Sequence, residues 1–401
     1  MPRSAFGKWK PSALLATAAI LGLYYVLLKS SPGSPLRQSR LQFKPRRRSV
    51  QSCVHDPIPC PRMRYVDRPE DDASMLIDLA NFTYLLDSPP CGAAGRDDDV
   101  TLLVVVHSAA AHFAERDVIR TTWGAARLSN LTLRVVFMLA RRPDDPELED
   151  KMERENRRFG DTVQGNFVDS YRNLTYKHVM ALRWASTRCA SVARVLKMDD
   201  DIFVHIFQLA AILDKASATP LKRKVVLCYV QKQMPISRSE GSKWKVTESE
   251  YPGSFFEDYC SGWAYLADMD AVRAMVTEAQ YRPYFWVDDV HVTGTLARMG
   301  GVSLSRINHK YTTEADSLAL WAKPGDPRDS GGFLDWGYAF GPTWGDVTLV
   351  ARAHRKALWC RRRACKCCFK AVNANAGSAP NGSAAKNGVI GKAVVHSLSV
   401  F

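Results

Sequence analysis

The chain has 401 residues, enough for one large domain of about 250 to 270 residues with appendages or for two ordinary domains. Its 46% hydrophobic and 24% charged residues are a globular composition. The formal net charge is +14, yet the basic residues are spread widely and concentrate only in Lys44–Arg48 and Arg361–Lys370, neither interleaved with stacking aromatics, so nucleic acid is set aside as a partner in favour of a positively charged surface facing anionic lipid or acidic glycan.

In chain order, residues 1–11 read as a short cytosolic tail. Ser12 to Leu28 is uncharged and mainly apolar between Lys10 and Lys29, and as a helix it spans roughly 25 Å, suited to a thin early-secretory bilayer. A cleaved signal peptide competes with this transmembrane signal-anchor, but its core would exceed the usual length of about 7 to 15 residues, and no small-x-small site follows. Flanking charge alone does not orient the span, because Arg3, Lys8 and Lys10 precede it while Lys29, Arg37, Arg40 and Arg46 to Arg48 follow. All ten cysteines lie after it, as do four glycosylation sequons at Asn81, Asn130, Asn173 and Asn381, which fits an oxidising lumen and a type II topology. The even cysteine count favours disulfides, with the pairing undetermined.

Residues 29–99 are rich in Pro, Ser, Arg and Asp and read as a luminal stem. One helix is expected within it, from about Asp71 to Leu86, with Cys53, Cys60 and Cys91 available to staple it to the body. From Val100 to residue 370 the pattern becomes a folded body. Buried strands are expected over Thr101–Val106, Leu133–Leu139, Thr162–Val168, Val192–Met198 and Val225–Val230. Between the third and fourth, Leu174, His178, Ala181, Leu182 and Ala185 recur at three- and four-residue spacing and predict a helix. This alternation predicts an α/β fold with a parallel, helix-covered sheet and a ligand at the carboxyl ends of its strands. No glycine-rich dinucleotide or Walker loop follows the first strand, which argues against a dehydrogenase or P-loop enzyme. Cys360, Cys365, Cys367 and Cys368 do not follow paired zinc spacing and read as luminal disulfides, and residues 371–401, rich in Ala, Gly, Asn and Ser, read as a disordered tail.

Lys197-Met198-Asp199-Asp200-Asp201 closes the fourth strand. If the segment is extended, Asp199 and Asp201 face one way and Asp200 the other, giving two oxygen donors for a hard cation such as Mg2+ or Mn2+ with a diphosphate completing the shell. Taken alone, three adjacent aspartates suit an acidic turn equally well.

That motif and four further segments together resemble the inverting β-1,3-galactosyltransferase family, which also contains β-1,3-N-acetylglucosaminyltransferases. They are Arg120-Thr-Thr-Trp123-Gly124, the long block Phe167-Val-Asp169-Ser-Tyr171-Arg-Asn173-Leu-Thr-Tyr-Lys177, the metal motif Lys197 to Val204, Tyr251-Pro252 through Cys260-Ser261-Gly262, and Asp288-Asp289-Val290. The resemblance implies a GT-A-type nucleotide-sugar-binding fold, a UDP-sugar donor and Mn2+ or Mg2+. It also implies a single displacement with Asp289 as the base that takes the acceptor hydroxyl proton. By the same resemblance Asp201 binds the metal directly, Asp199 contacts the ribose or a metal-bound water, and Asp200 addresses the donor sugar; His309 is a candidate nitrogen ligand, a surface group outside the ligand set being its other reading. Arg120 and Lys177, with Asp169, are expected at the nucleotide or diphosphate, a structural ion pair being the other reading of Arg120. Trp123 is expected in the core. Trp244, Trp263 and Asp288 lie on the acceptor side, with apolar packing the alternative for both tryptophans.

Three departures stand out: Asp288 where related enzymes often have Glu, one extra residue in His291-Val-Thr-Gly294, and Trp263 where smaller residues are frequent. The resulting expectation is a Golgi type II enzyme that moves galactose from UDP-galactose in β-1,3 linkage to a glycan on protein or lipid. Transfer of N-acetylglucosamine or N-acetylgalactosamine is the nearest alternative, and a non-catalytic glycan-binding protein on the same fold is one of another class.

Overall fold

The structure is a computed structural model that describes residues 75–89, 91, 100–218, 223–323, 334–363 and 366–369. The expected anchor, most of the stem, Cys53, Cys60, Cys365, Asn381 and the tail lie outside the described residues. Among the described residues no helix is long and apolar enough to cross a membrane.

The strands are β1 (Tyr84–Leu86), β2 (Leu102–His107), β3 (Arg127–Leu128), β4 (Leu131–Arg141), β5 (Thr162–Val168), β6 (Arg194–Asp199), β7 (Ile202–Val204), β8 (Val225–Gln231), β9 (Tyr259–Asp268) and β10 (Ser303–Arg306). Their main sheet runs in the order β1-β5-β4-β2-β6-β9-β8-β10, with β3 paired to β4. The block β5-β4-β2-β6 is parallel, as the alternation predicts, and its centre is the continuous apolar run of β2, every residue of which is buried. The sheet as a whole is mixed, a correction to the parallel expectation: β9 lies antiparallel between β6 and β8, while β10 runs parallel to β8 and β1 antiparallel to β5. The expected strands 101–106, 133–139, 162–168, 192–198 and 225–230 all appear, 162–168 with the bounds expected and the others with shifted ends.

Helices Leu174–Arg188 and Met269–Ala279 and the π-helix Val290–Leu296 cover one face, packing on a core that includes Val105, Trp184, Tyr265 and Val272. Helices Phe113–Thr121, Ile206–Ala218, Ala315–Trp321 and Val347–Arg363 enclose the other core, around Val104, Phe137, Leu196 and Leu349. Trp123 is fully buried there, as its packing reading requires. The short strand β11 (Phe340–Pro342) pairs with β7 and ties the C-terminal part of the chain to the aspartate motif.

The helix expected over 71–86 does not form in its described part. Ile77 and Asn81 adopt left-handed φ of 54° and 58°, which a helix cannot contain, and Leu76, Ile77 and Phe82 instead plug into the first core before β1 joins the sheet edge. The folded unit therefore begins upstream of the expected boundary at residue 100. Cys91 staples this segment to Cys189 at the end of helix Leu174–Arg188, and Cys228–Cys260 joins β8 to β9. Asn81 and Asn130 are exposed. Asn173 instead donates to the Val168 carbonyl at 2.8 Å, and the hydroxyl of Thr175 in its sequon is buried on the Phe285 carbonyl at 2.7 Å.

Candidate active site

The parallel block brings the carboxyl ends of β2 and β6 level, His107 opposite Asp199. β6 ends at Asp199, so Asp200 and Asp201 stand in the turn before β7 and not in an extended strand. Asp200 is turned into the protein. It is 7% exposed, its Oδ2 lies 2.9 Å from His112 Nδ1, and its N–H donates to the His107 carbonyl at 3.1 Å. That hydrogen bond holds the His112 imidazole above its ordinary pKa despite burial, and it makes Asp200 an anchor for the loop after β2 in place of the expected donor-sugar contact. The Asp201 carbonyl accepts the N–H and hydroxyl of Thr343, at 2.8 and 2.7 Å.

Burial pushes Asp201 up to about 7, with the Asp199 and Asp200 charges adding to it. Burial pushes Asp199 up to about 6 against the pull of Lys197, whose ammonium lies 2.8 Å from its Oδ1. Two half-buried, mutually repelling carboxylates at a loop edge fit a hard divalent cation whose other ligands are phosphate oxygens and water. Among the described residues no group of three or more His, Cys, Asp or Glu is arranged to hold a metal by itself, and His309, exposed on the turn Asn308–Lys310, is not brought to the aspartates. The expected third ligand is thus not assembled by this chain in this structure.

A second carboxylate pair faces the first across β9. Asp289 opens the π-helix Val290–Leu296, and Thr293, which donates to the Asp289 carbonyl at 2.6 Å, itself accepts from the Cys260 N–H at 2.8 Å. Gly262 lies directly against Asp289, since a Cβ added there would stand 3.4 Å from Asp289 Cβ, in van der Waals contact. Burial first, then the charge of Asp288, pushes Asp289 up to about 7. Asp288 moves the other way. Burial would raise it, but the His178 hydrogen bond at 2.8 Å and the nearby Lys197 charge keep it below the ordinary carboxylate value. Two adjacent carboxyls with divergent proton affinities are the usual mark of separate acid–base roles. Lys197 links the two pairs, since its Nζ also donates to the Gly262 carbonyl at 2.6 Å. The extra residue in His291-Val-Thr-Gly294 is taken up by the π-turn, a common way for a helix to absorb one inserted residue near a site.

The remaining expectations divide. Lys177, 3% exposed, donates to the Ser108 carbonyl at 2.8 Å and to Asp169 Oδ1 at 2.7 Å, while Asp169 Oδ2 accepts from the Ala110 N–H at 3.1 Å. Both residues therefore hold the loop after β2 from behind. Arg120 is a correction: its guanidinium is spent on Asp161, at 2.7 and 2.8 Å, and on Glu155, at 2.8 Å, so its structural ion-pair reading holds. Trp263 is half-buried and packs on the second core, not in an open acceptor site. Trp244 is 38% exposed and bonds to the Tyr171 side chain, with the Lys243 ammonium 4.7 Å from its ring centre. Tyr171, 43% exposed, lies 5.9 Å from the Trp286 ring and close enough to Asp288 and Asp289 to feel their charges.

Sequence reasoning assigned no role to Lys197, Arg116, His178, His112 or Tyr171. Lys197 and Arg116, 1% and 0% exposed, carried a signal, because a cation within an apolar strand or on the buried face of a helix demands a buried partner. Arg116 finds Glu155 at 2.7 Å and the Ser108 hydroxyl and Ala109 carbonyl at 2.9 and 2.8 Å.

Residues 114–308 match the family model described as galactosyltransferase. The chain is 33% identical over 225 residues to the acetylgalactosaminyl-O-glycosyl-glycoprotein β-1,3-N-acetylglucosaminyltransferase of Mus musculus, covering 55% of this chain and 56% of that protein. It is 32% identical over 200 residues to β-1,3-galactosyltransferase 1 of Homo sapiens, covering 50% of this chain and 60% of that protein. The match thus spans little more than half the length of these relatives. A crystal structure of the galactosyltransferase LgtC aligns with 64% of this chain and 95% of its own at 14% identity, with a TM-score of 0.33, too low to argue a common fold. Residues 114–308 are thus a galactosyltransferase-family domain, similar in sequence to β-1,3-galactosyltransferases and β-1,3-N-acetylglucosaminyltransferases.

Proposed function

We propose that this protein is a metal-dependent, inverting β-1,3-glycosyltransferase that moves galactose from UDP-galactose to a glycan on protein or lipid, as a type II Golgi membrane enzyme. The observation that carries the reading is the pair of carboxylate clusters joined by Lys197: Asp199 and Asp201 at the strand edge, Asp289 and Asp288 across Gly262. Asp199 and Asp201 would hold Mn2+ or Mg2+, which when bound neutralises charge on the departing diphosphate. Asp289, raised to about 7, accepts the proton of the acceptor hydroxyl as its oxygen bonds to the anomeric carbon and the bond to UDP breaks. Attack from the face opposite the leaving group turns an α-linked donor into a β-linked product. Lys177, Asp169 and Arg116 keep the loop after β2 shaped for the nucleotide, and Tyr171 and Trp244 offer aromatic faces to the acceptor.

Similarity to an N-acetylglucosaminyltransferase supports a second reading, transfer of N-acetylglucosamine. Incubating the protein with each UDP-sugar, Mn2+ and a glycan array separates the two. Release of UDP from UDP-galactose with a β-1,3-linked product is expected, and turnover confined to UDP-N-acetylglucosamine overturns the choice of sugar.

A further inference from the structure

Helix Leu174–Arg188 grips the loop that carries Asp288 and Asp289 at two points one turn apart: Thr175 donates to the Phe285 carbonyl at 2.7 Å, and His178 Nδ1 lies 2.8 Å from Asp288 Oδ2. Behind His178, its Nε2 lies 2.7 Å from the Tyr265 hydroxyl on β9, and both rings are fully buried. Asp288 is ionised and can only accept, so Nδ1 carries the hydrogen. Burial keeps the imidazole neutral, which leaves Nε2 as acceptor and Tyr265 as donor. Every hydrogen in the chain Tyr265–His178–Asp288 then points towards Asp288, and the chain ends on the residue bonded to the base. Tyr265 also pairs across the sheet with Lys197, so its position is fixed by the strand that ends in the donor-side aspartates.

We propose that His178 is a positioning residue for the transfer reaction: by holding Asp288 from below, with Tyr265 behind it, it fixes the place and direction of the Asp289 carboxylate. Asp288 then serves as an inward strut and not as an acceptor contact. The inference rests on the reading of Asp289 as the base.

The test uses the full chain with UDP-sugar, Mn2+ and an active acceptor, measuring kcat, donor and acceptor KM, UDP affinity and Tm. His178→Leu/Tyr265→Phe removes both polar groups without orphaning a buried hydroxyl. It is expected to lower kcat by about 10²-fold, on the scale of general-base help, with donor KM within about twofold. His178→Asn, whose amide can replace Nδ1 as donor, is expected to recover at least about tenfold of that loss, a rescue that packing alone does not produce. Asp288→Ala, which removes the acceptor for His178 and leaves the Thr175–Phe285 contact in place, is expected to reproduce the kcat loss and serves in place of the double variant if that one does not fold. A kcat within about threefold of wild type in both the double variant and Asp288→Ala overturns the proposal, as does a His178→Asn enzyme no better than the double variant. Failure of the base reading looks different, since Asp289→Asn would then retain turnover.

Discussion

Asp289→Asn separates function from stability in opposite directions. The carboxyl moves from 3.8 in the unfolded chain to about 7 in the folded one, chiefly through burial and then through Asp288. A raised carboxyl pKa means that the fold favours the protonated form, so this stability is fully present below 3.8 and is lost as pH rises through about 7. Moving from 3.8 to about 7 corresponds to a ceiling of about 4 kcal/mol. The side chain is partly open to solvent and an amide must still find partners, so we expect a gain of about 1–2 kcal/mol for the variant above pH 7, or roughly 3–6 °C in Tm. Near pH 4 the two proteins should melt together. Transfer should fall about 10²- to 10⁴-fold while UDP affinity holds, and the acid limb of wild-type kcat/KM should fall near pH 7, where the base protonates. Thermal melts from pH 4 to 8 in the absence of divalent cation, beside UDP-release assays and calorimetric UDP titration, read all three. A variant less stable than wild type at pH 8, or one whose UDP affinity falls as far as its turnover, would refute the assignment of a desolvated base.

Asp201→Ala is expected to raise donor KM by roughly tenfold or more and to demand more Mn2+, with chelation abolishing turnover and added Mn2+ restoring it; cation titrations at fixed UDP-sugar measure this. Arg120→Met should lower stability by about 2–3 kcal/mol, because it strands Asp161 and part of Glu155, while donor KM stays within about twofold; denaturant melts and kinetics together separate a structural role from a donor contact. Trp244→Ala should raise acceptor KM about three- to tenfold, equivalent to about 0.7–1.4 kcal/mol, and leave donor KM unchanged.

How far the sequence reached follows the range of each interaction. Strands β2, β4, β6 and β8 were readable because each has a core of buried apolar residues, a local pattern, whereas β5 carries Gln164, Gly165 and Asn166 and shows that pattern least. The antiparallel placement of β9 was not, because its pairing with β6 and β8 is decided across a loop of 27 residues, from 232 to 258, by contacts no short window contains. The segment 71–86 misled for a related reason: its apolar residues suit a helix, but burial of Leu76, Ile77 and Phe82 against the sheet outweighs that preference and forces two left-handed turns.

Within the site, residue types announced the chemistry while orientation escaped. Asp200 and Arg120 carry the right charges for a donor pocket, yet each is claimed by a partner distant in sequence, His112 at 88 residues and Asp161 at 41. The departure in His291-Val-Thr-Gly294 has the clearest structural meaning. One extra residue in an α-helix would rotate everything before it by about 100°, carrying Asp289 away from Gly262. The π-helix absorbs that residue between Val290 and Leu296, so Thr293 still reaches both the Asp289 carbonyl and the Cys260 N–H. The insertion thus leaves the base against β9 and places its change on the far side of the turn, where a Cβ added to Gly294 would stand 3.1 Å from Glu257 Cγ on the segment leading into the strand. A change of acceptor preference is expected to arise at that contact, with the proton-transfer geometry preserved.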